Sequence, residues 1–513
     1  MTQDKFPTPL RPSLDRRTAL CGLGSTIALP WLTTLAQGAD ARSAGAEASQ
    51  PMNGLLCSPH SFYDEGIDYV LDNVQEKAGT NAIVVYTYQG MTPGARGAQY
   101  LADHGKPIQP NRLNDATTWV NVDERYFRGT SLRHIEDGPN RLYADKNIVE
   151  DLEEPLRSRD MKLYARILEG WSMGYRPGFF KVHQIDLEGR LGDHTCYNHP
   201  DYQEFWVAST HNLFAQYKNL AGIFWGSERK SPLEDVLRGR VPTCFCEHCR
   251  KLGEQLGVDA DGAAEGLRKM MEFVRGVRED GPPEEGSFVT FMRILIEYPD
   301  ILGWEKVWRE SYLSIPKQVR GAMKALNPQA TLGWHGDHAV TGLGLFKRIG
   351  LDYGELTDTF DWIKPSVYHL AAAPRLRGRF TDLHETIFSD LKKDRALDLY
   401  FAINGYESEE EPEFDELAKA ATEQGRLSEN YVRREVGRAV KAVDGRAQIY
   451  AGPGIGIPGG PASKVERPEL TYNDCVAAFE AGADGLIIGR EYDEIPFPNM
   501  EAVGRAYREW VQG

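Results

Sequence analysis

Short apolar runs rich in β-branched residues alternate along this chain with longer stretches in which apolar positions recur every three or four residues. The short runs predict strands, and the three-and-four spacing predicts amphipathic helices. Regular alternation of the two predicts βα units around a parallel sheet. The number of strand-like runs, eight, is the number that closes one (β/α)8 barrel, the TIM-barrel architecture of the α/β class: residues 54–60, 82–88, 162–168, 220–228, 330–337, 361–369, 447–456 and 485–492.

Two segments do not fit this simple alternation. Residues 396–406 are an alternative candidate for a ninth strand, but helix-favouring residues lead into them without a turn signal, so we assign them to a helix. Residues 231–303 hold a cluster of cysteines and a charged helical stretch. We interpret them as a helical insertion that follows the fourth strand and walls the mouth of the barrel.

The N-terminal segment predicts processing rather than fold. Residues 1–41 resemble a twin-arginine export signal, because Arg16 and Arg17 precede a modest apolar stretch and then the small-residue pattern Ala39–Ala41. The alternative, a membrane anchor or a buried helix, is weaker because the apolar stretch contains Gly, Ser, Thr and Pro and is shorter than about 18 to 20 apolar residues. We therefore expect an exported protein, periplasmic or extracellular, with residues 42–51 as a linker and residues 52–513 as the barrel.

The net charge of the chain limits the classes of partner that it is expected to bind. A net charge of −16 and a pI near 5.3, with no basic stripe to neutralise phosphates, disfavour nucleic acid. No run beyond the N-terminal segment is long and apolar enough to predict a transmembrane helix in the mature chain. The sequence leaves the oligomeric state open, a homo-oligomer included.

Polar and aromatic residues gather where the predicted strands end. In barrels of this kind the carboxyl ends of the strands build the active site. So many titratable groups at strand ends favour an enzyme over a scaffold. The candidate substrate-binding residues are His60, Tyr86, Tyr88, Arg166, Trp225, Arg229, Trp334, His335, Tyr368, His369 and Arg490.

Three cysteines follow the fourth predicted strand with the spacing Cys-x-Cys-x-x-Cys, at Cys244, Cys246 and Cys249. Such closely spaced cysteines cannot readily form two disulfides among themselves, and their thiolates suit a single metal ion. A fourth ligand is then required. Disulfides or a cluster that has lost its metal are the alternative interpretation.

An acid at the end of strand four, followed in the next loop by this cysteine trio, resembles the family 42 β-galactosidases and their relatives among the clan A barrel glycosidases. The resemblance implies that Glu228 is the general acid/base and that Cys196, after strand three, joins Cys244, Cys246 and Cys249 to bind a structural zinc ion. No organic cofactor is expected. Two positions depart from the clan pattern: Ser227 stands where Asn is usual before the acid, and strand seven ends without the nucleophilic Glu.

A glycosidase needs a second carboxylate to attack the sugar or to activate water. The candidates are Asp337, Glu491 and Glu494, together with Asp493, and Glu407 if residues 396–406 form a strand. Aromatic residues near the strand ends are candidate sugar platforms: Tyr88, Trp171, Trp225, Trp334 and Tyr368. We therefore predict a glycoside hydrolase that cleaves a glycosidic bond in an oligo- or polysaccharide, with Arg166, His335, His369 and Arg490 binding the substrate.

Two other function classes remain open. His335, Asp337 and His338 at one strand end could hold a catalytic metal, as in a sugar isomerase or a metal-dependent hydrolase built on the same barrel. The missing strand-seven carboxylate would also fit a carbohydrate-binding barrel without catalysis.

Overall fold

The computed structural model describes residues 50–89, 104–105, 117–134, 146–169, 178–419, 425–455 and 467–512. The predicted export signal, nearly all of the predicted linker, Trp171 and the side chain of Arg490 lie outside this description. Predictions for them therefore stay predictions.

Eight parallel strands close into a barrel, so the predicted (β/α)8 fold is confirmed. Going round the barrel, the strand order is β1, β8, β7, β6, β5, β4, β3, β2 and back to β1. Every predicted strand overlaps an observed one. The bounds are β1 Met52–Cys57, β2 Ala82–Tyr86, β3 Lys162–Glu169, β4 Leu220–Ser227, β5 Thr331–His335, β6 Trp362–Lys364, β7 Gln448–Ala451 and β8 Gly485–Glu491.

Helices connect the strands and form the outer layer. Residues 396–406 lie mostly in the helix Lys393–Ile403, as expected. Among the described residues, no helix is long and apolar enough to cross a membrane. The helices are Pro59–Glu65, Ile67–Ala78, Ile148–Arg157, Pro200–Gln216, Pro232–Leu237, Glu247–Gln255, Ala260–Asp280, Ser287–Glu297, Asp300–Leu326, His338–Thr341, Leu345–Gly350, Tyr353–Leu356, His369–His384, Lys393–Ile403, Asn430–Val443, Pro468–Glu480 and Phe497–Gln512.

The segment after β4 is helical and packs mainly on other helices. Ser231 caps the helix Pro232–Leu237 by accepting a hydrogen bond from the backbone of Glu234, and proline suits its first turn. The helix Ala260–Asp280 packs against Pro232–Leu237 and Asp300–Leu326. Before β4, an antiparallel hairpin of His183–Ile185 and Leu191–Thr195 leads into Cys196.

Side chains alternate between the inside of the barrel and its helical shell. The inner core contains the aromatic residues Tyr164, Phe224, Trp362 and Tyr450, with aliphatic residues at the same faces of β1, β2 and β8. Trp362 lies over Gly333 of the neighbouring strand, where a Cβ atom would come within 2.1 Å of the indole ring. The large ring therefore requires the small residue beside it.

Replacing Gly333 with alanine should destabilise the barrel. Because the added methyl group must displace a buried Trp362, we expect Gly333→Ala to lower the free energy of unfolding by about 1–3 kcal/mol in urea denaturation. Gly378 in the helix His369–His384 is the matched control, since no described atom lies within 4 Å of an added Cβ. Gly378→Ala should be neutral or stabilising by about 0.5–1 kcal/mol. Equal effects at the two sites would contradict this packing argument.

Candidate active site and cysteine cluster

Six polar side chains occupy inward-facing positions at the carboxyl ends of the barrel strands. Paired residues on neighbouring parallel strands share a face, so the inner core residue Phe224 places its partner Arg166 inside, and Arg166 places Tyr86 inside. On the other side of the barrel, Trp362 and its partner Gly333 face inward. Lys364 and its partner His335 each lie two residues further along these two strands, so they also face inward. The six are Tyr86, Arg166, Glu228, His335, Lys364 and Glu491.

Glu228 follows β4 two residues beyond Gly226, the partner of His335. Its Oε1 lies 3.9 Å from Nε2 of His335, and the carboxylate side chain is 37% exposed. His335 is buried, and burial together with the charges of Lys364 and Arg166 lowers its pKa well below the ordinary value. A neutral imidazole therefore stands beside an accessible carboxylate.

Glu491 is held by Arg166 across the barrel mouth. Nη1 of Arg166 donates to Oε1 of Glu491 at 3.2 Å, and its guanidinium lies 4.4 Å from the centre of the Tyr86 ring. Both partners of this ion pair are largely shielded from solvent. The ion pair therefore holds the Glu491 carboxylate at the mouth of the barrel.

Glu228 and Glu491 belong to strands that face each other. In the closed order of the barrel, β4 and β8 are four positions apart in either direction. Both carboxylates stand at inward-facing positions at the same end of the barrel. A ligand at the mouth would thus have one carboxylate on each side, as acid and base chemistry on a single bond requires.

Lys364 was not among the predicted site residues. It is fully buried at the inner face of β6, and its Nζ donates to Oη of Tyr368 at 2.9 Å. Burial lowers the pKa of Lys364. For Tyr368 burial acts to raise the pKa, but the adjacent Lys364 brings it below the ordinary value. A lysine at an inward position of an apolar strand is a signal that counting by twos along residues 361–369 would have found.

Arg229 is part of a buried clamp beneath Glu228, in place of the substrate contact expected for it. Its guanidinium pairs with the carboxylate of Glu169, and both side chains are almost completely buried. Glu169 also accepts hydrogen bonds from Oη of Tyr202 at 2.5 Å and from Oγ of Ser227 at 2.9 Å. Both chain neighbours of Glu228 are therefore fixed to the end of β3.

Three of the predicted sugar platforms face the helical shell and not the barrel mouth. Trp225 packs edge-on against Trp206 of the helix Pro200–Gln216. The indole of Trp334 donates to Oη of Tyr312 at 3.3 Å. Tyr88 stacks on His134. Their positions make them core residues, whereas Tyr368 packs over Gly489 of β8.

Two predicted acids make local structural contacts. Asp337 caps the helix His338–Thr341 through the backbone N–H of Ala339 at 2.8 Å, and its carboxylate lies 3.3 Å from Nζ of Lys347. Glu494 forms a reciprocal capping box with Glu491, and its carboxylate accepts from the backbone N–H of Glu491 at 3.4 Å. Among the candidates Asp337, Glu491 and Glu494 for the second carboxylate, the geometry therefore favours Glu491.

The remaining predicted histidines contact residues of the surrounding helices and loops. His369 binds Asp474 at 2.9 Å and the carbonyl of Leu427 at 2.9 Å, joining two outer helices to a loop. Nδ1 of His338 accepts from Arg375 at 2.8 Å. Nδ1 of His60 contacts Oγ of Ser58 at 2.9 Å.

The cysteine cluster brings together all four predicted metal ligands. The sulfur atoms of Cys196, Cys244, Cys246 and Cys249 all lie within 4.8 Å of one another. Sγ of Cys196 is 3.5 Å from that of Cys246 and 3.6 Å from that of Cys249. Among the described residues, no other group of three or more His, Cys, Asp or Glu side chains has metal-binding geometry, so His335, Asp337 and His338 are not assembled into such a site.

These distances suit a metal better than a disulfide. Tetrahedral zinc with sulfur at about 2.3 Å places its ligand atoms about 3.8 Å apart, whereas a disulfide requires about 2.05 Å. Backbone N–H of Ile185 donates to Sγ of Cys244 at 3.3 Å, and the Asn198 amide donates to Sγ of Cys249 at 3.3 Å. Such donors stabilise thiolates and orient them. The donor set therefore fits a structural zinc ion.

No protein-family model and no curated protein sequence matches the chain. Solved structures do resemble it. A β-galactosidase from Halorubrum lacusprofundi is 12% identical with a TM-score of 0.48, and the alignment covers 90% of this chain and 58% of that one. The glycoside hydrolase domain of PgaB (BpsB) from Bordetella bronchiseptica is 10% identical with a TM-score of 0.48, over 89% and 98% of the two chains.

An endo-β-1,4-mannanase from Thermotoga petrophila is 10% identical with a TM-score of 0.43, and the alignment covers 90% of this chain and 77% of the mannanase. The chain spans only 58% and 56% of the length of the β-galactosidases from Halorubrum lacusprofundi and Rahnella sp. R3. These neighbours are glycoside hydrolases. At such low identities the activity of this chain has to be argued from its own residues.

Removing the charge of the Glu169 carboxylate should destabilise the fold. Glu169→Gln leaves the buried guanidinium of Arg229 without a counter-charge, so we expect the free energy of unfolding to fall by about 3–5 kcal/mol in urea denaturation. The exposed pair Arg250 and Asp261 provides the control. Asp261→Asn should cost at most about 1 kcal/mol. A loss of similar size in both variants would refute the clamp.

Proposed function

We propose that this protein is a glycoside hydrolase in which Glu228 is the general acid/base and Glu491 the second carboxylate. The proposal is carried by one observation: these two carboxylates stand on opposite strands of a closed barrel, both facing inward at its carboxyl end. Protonating a leaving oxygen and attacking or activating water at the adjacent carbon requires two carboxyl groups on either side of one bond.

The surroundings of the two acids suit different roles. Glu491 is ion-paired with Arg166 at 3.2 Å, and this contact positions its carboxylate for the role of nucleophile or base. Glu228 is next to His335, whose lowered pKa makes it neutral, and it is the more exposed of the two acids. The proposed proton donor thus has access to both solvent and substrate.

The two alternatives have less support. A catalytic metal at His335, Asp337 and His338 would need their ligand atoms to converge, but Asp337 pairs with Lys347 and His338 with Arg375. A barrel that only binds sugars would not need a carboxylate pair across the mouth. A metal-dependent hydrolase predicts that Glu228 can be replaced without loss of hydrolysis, and the binding-only alternative predicts that even the wild type hydrolyses nothing.

Leaving-group dependence tests the role of Glu228. Glu228→Gln should reduce kcat for natural oligosaccharides by about 10²–10⁴-fold, since their sugar alkoxide must be protonated as it departs. Dinitrophenyl glycosides should lose much less in the bond-breaking step, because their phenolate leaves without a proton. Glu491→Gln should reduce both. Activity is measured over a panel of aryl glycosides and oligosaccharides.

Glu501→Gln, on an exposed part of the last helix, is the matched control and should keep wild-type rates for both substrate types. An unchanged Glu228→Gln enzyme, or equal losses for both leaving groups, would contradict the general-acid role. A wild-type protein that binds sugars from the panel but cleaves none would favour the binding-only alternative.

We further propose that the four cysteines bind a structural zinc ion and that the protein is exported. Support for zinc comes from the four convergent thiols and their N–H donors. Export rests on the N-terminal Arg16 and Arg17 pattern alone. A twin-arginine route would carry the folded, metal-loaded protein across the membrane.

Loss of one ligand should remove both zinc and stability. Purified wild type should contain about one zinc per chain by plasma mass spectrometry, and Cys249→Ser should contain little and unfold at a lower temperature. Cys475→Ser, at a buried cysteine of the helix Pro468–Glu480, is the control and should keep its zinc. A zinc-free wild type with disulfides among Cys244, Cys246 and Cys249 would overturn the assignment.

A further inference from the structure

Two buried lysines of the barrel have contrasting surroundings. Nζ of Lys347 lies 3.3 Å from the carboxylate of Asp337, so its charge is compensated. Nζ of Lys364 donates to two hydroxyl groups, Oη of Tyr368 at 2.9 Å and Oγ of Ser366 at 3.4 Å. Within the part of the chain that the structure describes, no carboxylate lies within ion-pairing distance of Lys364. An ammonium buried without a counter-charge tends to give up its proton.

The groups that face Lys364 act on its pKa in both directions. Arg166 of β3 adds a like charge, Tyr368 and Glu228 oppose its effect, and His335 of β5 is neutral. Burial and Arg166 lower the pKa of Lys364. The phenolate of Tyr368 can take the proton of Lys364 across their hydrogen bond and so become the phenol. A neutral amine next to a proton carrier is the usual arrangement of a nucleophilic lysine.

Lys364 also has the position that such a group needs. It is the last residue of β6, its side chain is on the inner face of the barrel, and it pairs with His335 of β5. Its stem lies across Gly452, where a Cβ atom would come within 2.2 Å of Cε. The missing side chain at Gly452 leaves room for the stem of Lys364 inside the barrel.

We propose that Lys364 forms a Schiff base with the carbonyl group of a small aldehyde or ketone bound at the barrel mouth, with the hydroxyl of Tyr368 as its proton-transfer partner. The class of ligand is a hydroxy-carbonyl compound such as an open-chain reducing sugar. This activity does not depend on glycoside hydrolysis and uses a different side of the same mouth.

The chemistry balances without another reactant. The amine of Lys364 attacks the carbonyl carbon, and one proton passes from the nitrogen to the oxygen by way of Tyr368, so that the C–O double bond becomes the hydroxyl of a carbinolamine. Tyr368 delivers a proton to that hydroxyl as the C–O bond breaks, and the nitrogen returns one proton to the phenolate. One water molecule leaves, and a carbon–nitrogen double bond remains. No oxidant or reductant is required.

Borohydride trapping tests the proposal on the purified full chain. Glycolaldehyde, chosen because the amine is buried, is added near pH 7 with sodium borohydride, and the digested protein is analysed by mass spectrometry. Reduction should leave Lys364 heavier by the aldehyde less one oxygen atom. We expect at least about tenfold more adduct at Lys364 than at Lys347 or at an exposed lysine such as Lys269, since ordinary lysines stay protonated at this pH.

Two variants separate the role of Lys364 from general reactivity. Lys364→Met should abolish the adduct, and if it fails to fold by circular dichroism, Tyr368→Phe still provides the test. Tyr368→Phe keeps the amine but removes the proton carrier, so trapping should slow by about 10²-fold or more. No adduct at Lys364 in folded wild type, labelling no greater than at Lys269, or an unchanged rate in Tyr368→Phe would each overturn the proposal. None of these outcomes depends on whether a glycoside is cleaved.

Discussion

The buried ion pair between Glu169 and Arg229 is the interaction on which the geometry of the site depends. The pair joins the ends of β3 and β4. Glu169 binds both Ser227 and Arg229, and the residue between these two is Glu228. A buried pair with satisfied hydrogen bonds is weak evidence for stability but strong evidence for a fixed position. The clamp also continues outward: Arg229 stacks on Tyr197, which follows Cys196 of the cysteine cluster. The proposed acid and the cysteine cluster therefore share one rigid framework.

Strand alternation explains why the mouth of the barrel carries so much chemistry on so few residues. The helical shell takes every second side chain for packing, as Trp225 and Trp334 show. Phe224 and Trp362 already fill the inner core, so the inward-facing positions nearer the mouth are not needed for packing. Charged groups at these positions lie close together in a partly dry space, which changes their proton affinities without any change of residue type.

The sequence was sufficient for the barrel because eight apolar runs separated by amphipathic stretches leave few other closed arrangements. The sequence, with its family resemblance, also predicted that the four cysteines lie together in one cluster. It was less informative for the site, since residues at strand ends were taken together without regard to face. Counting by twos from Glu228 would have put Trp225 and Arg229 on the outer face. The contact between His369 and Asp474 spans 105 residues of sequence, and no local pattern could reveal it.

The glycines that border β6 and its loop carry a consequence for how such a sequence can diverge. Gly333, Gly452 and Gly489 each receive a larger side chain from that region: Trp362, Lys364 and Tyr368 in turn. Each pair can change only in step, because a side chain on the small partner evicts the large one. In related chains the two positions of each pair should therefore covary. The residues found at the three glycine positions would then show whether the lysine and the tyrosine of the mouth are retained or replaced.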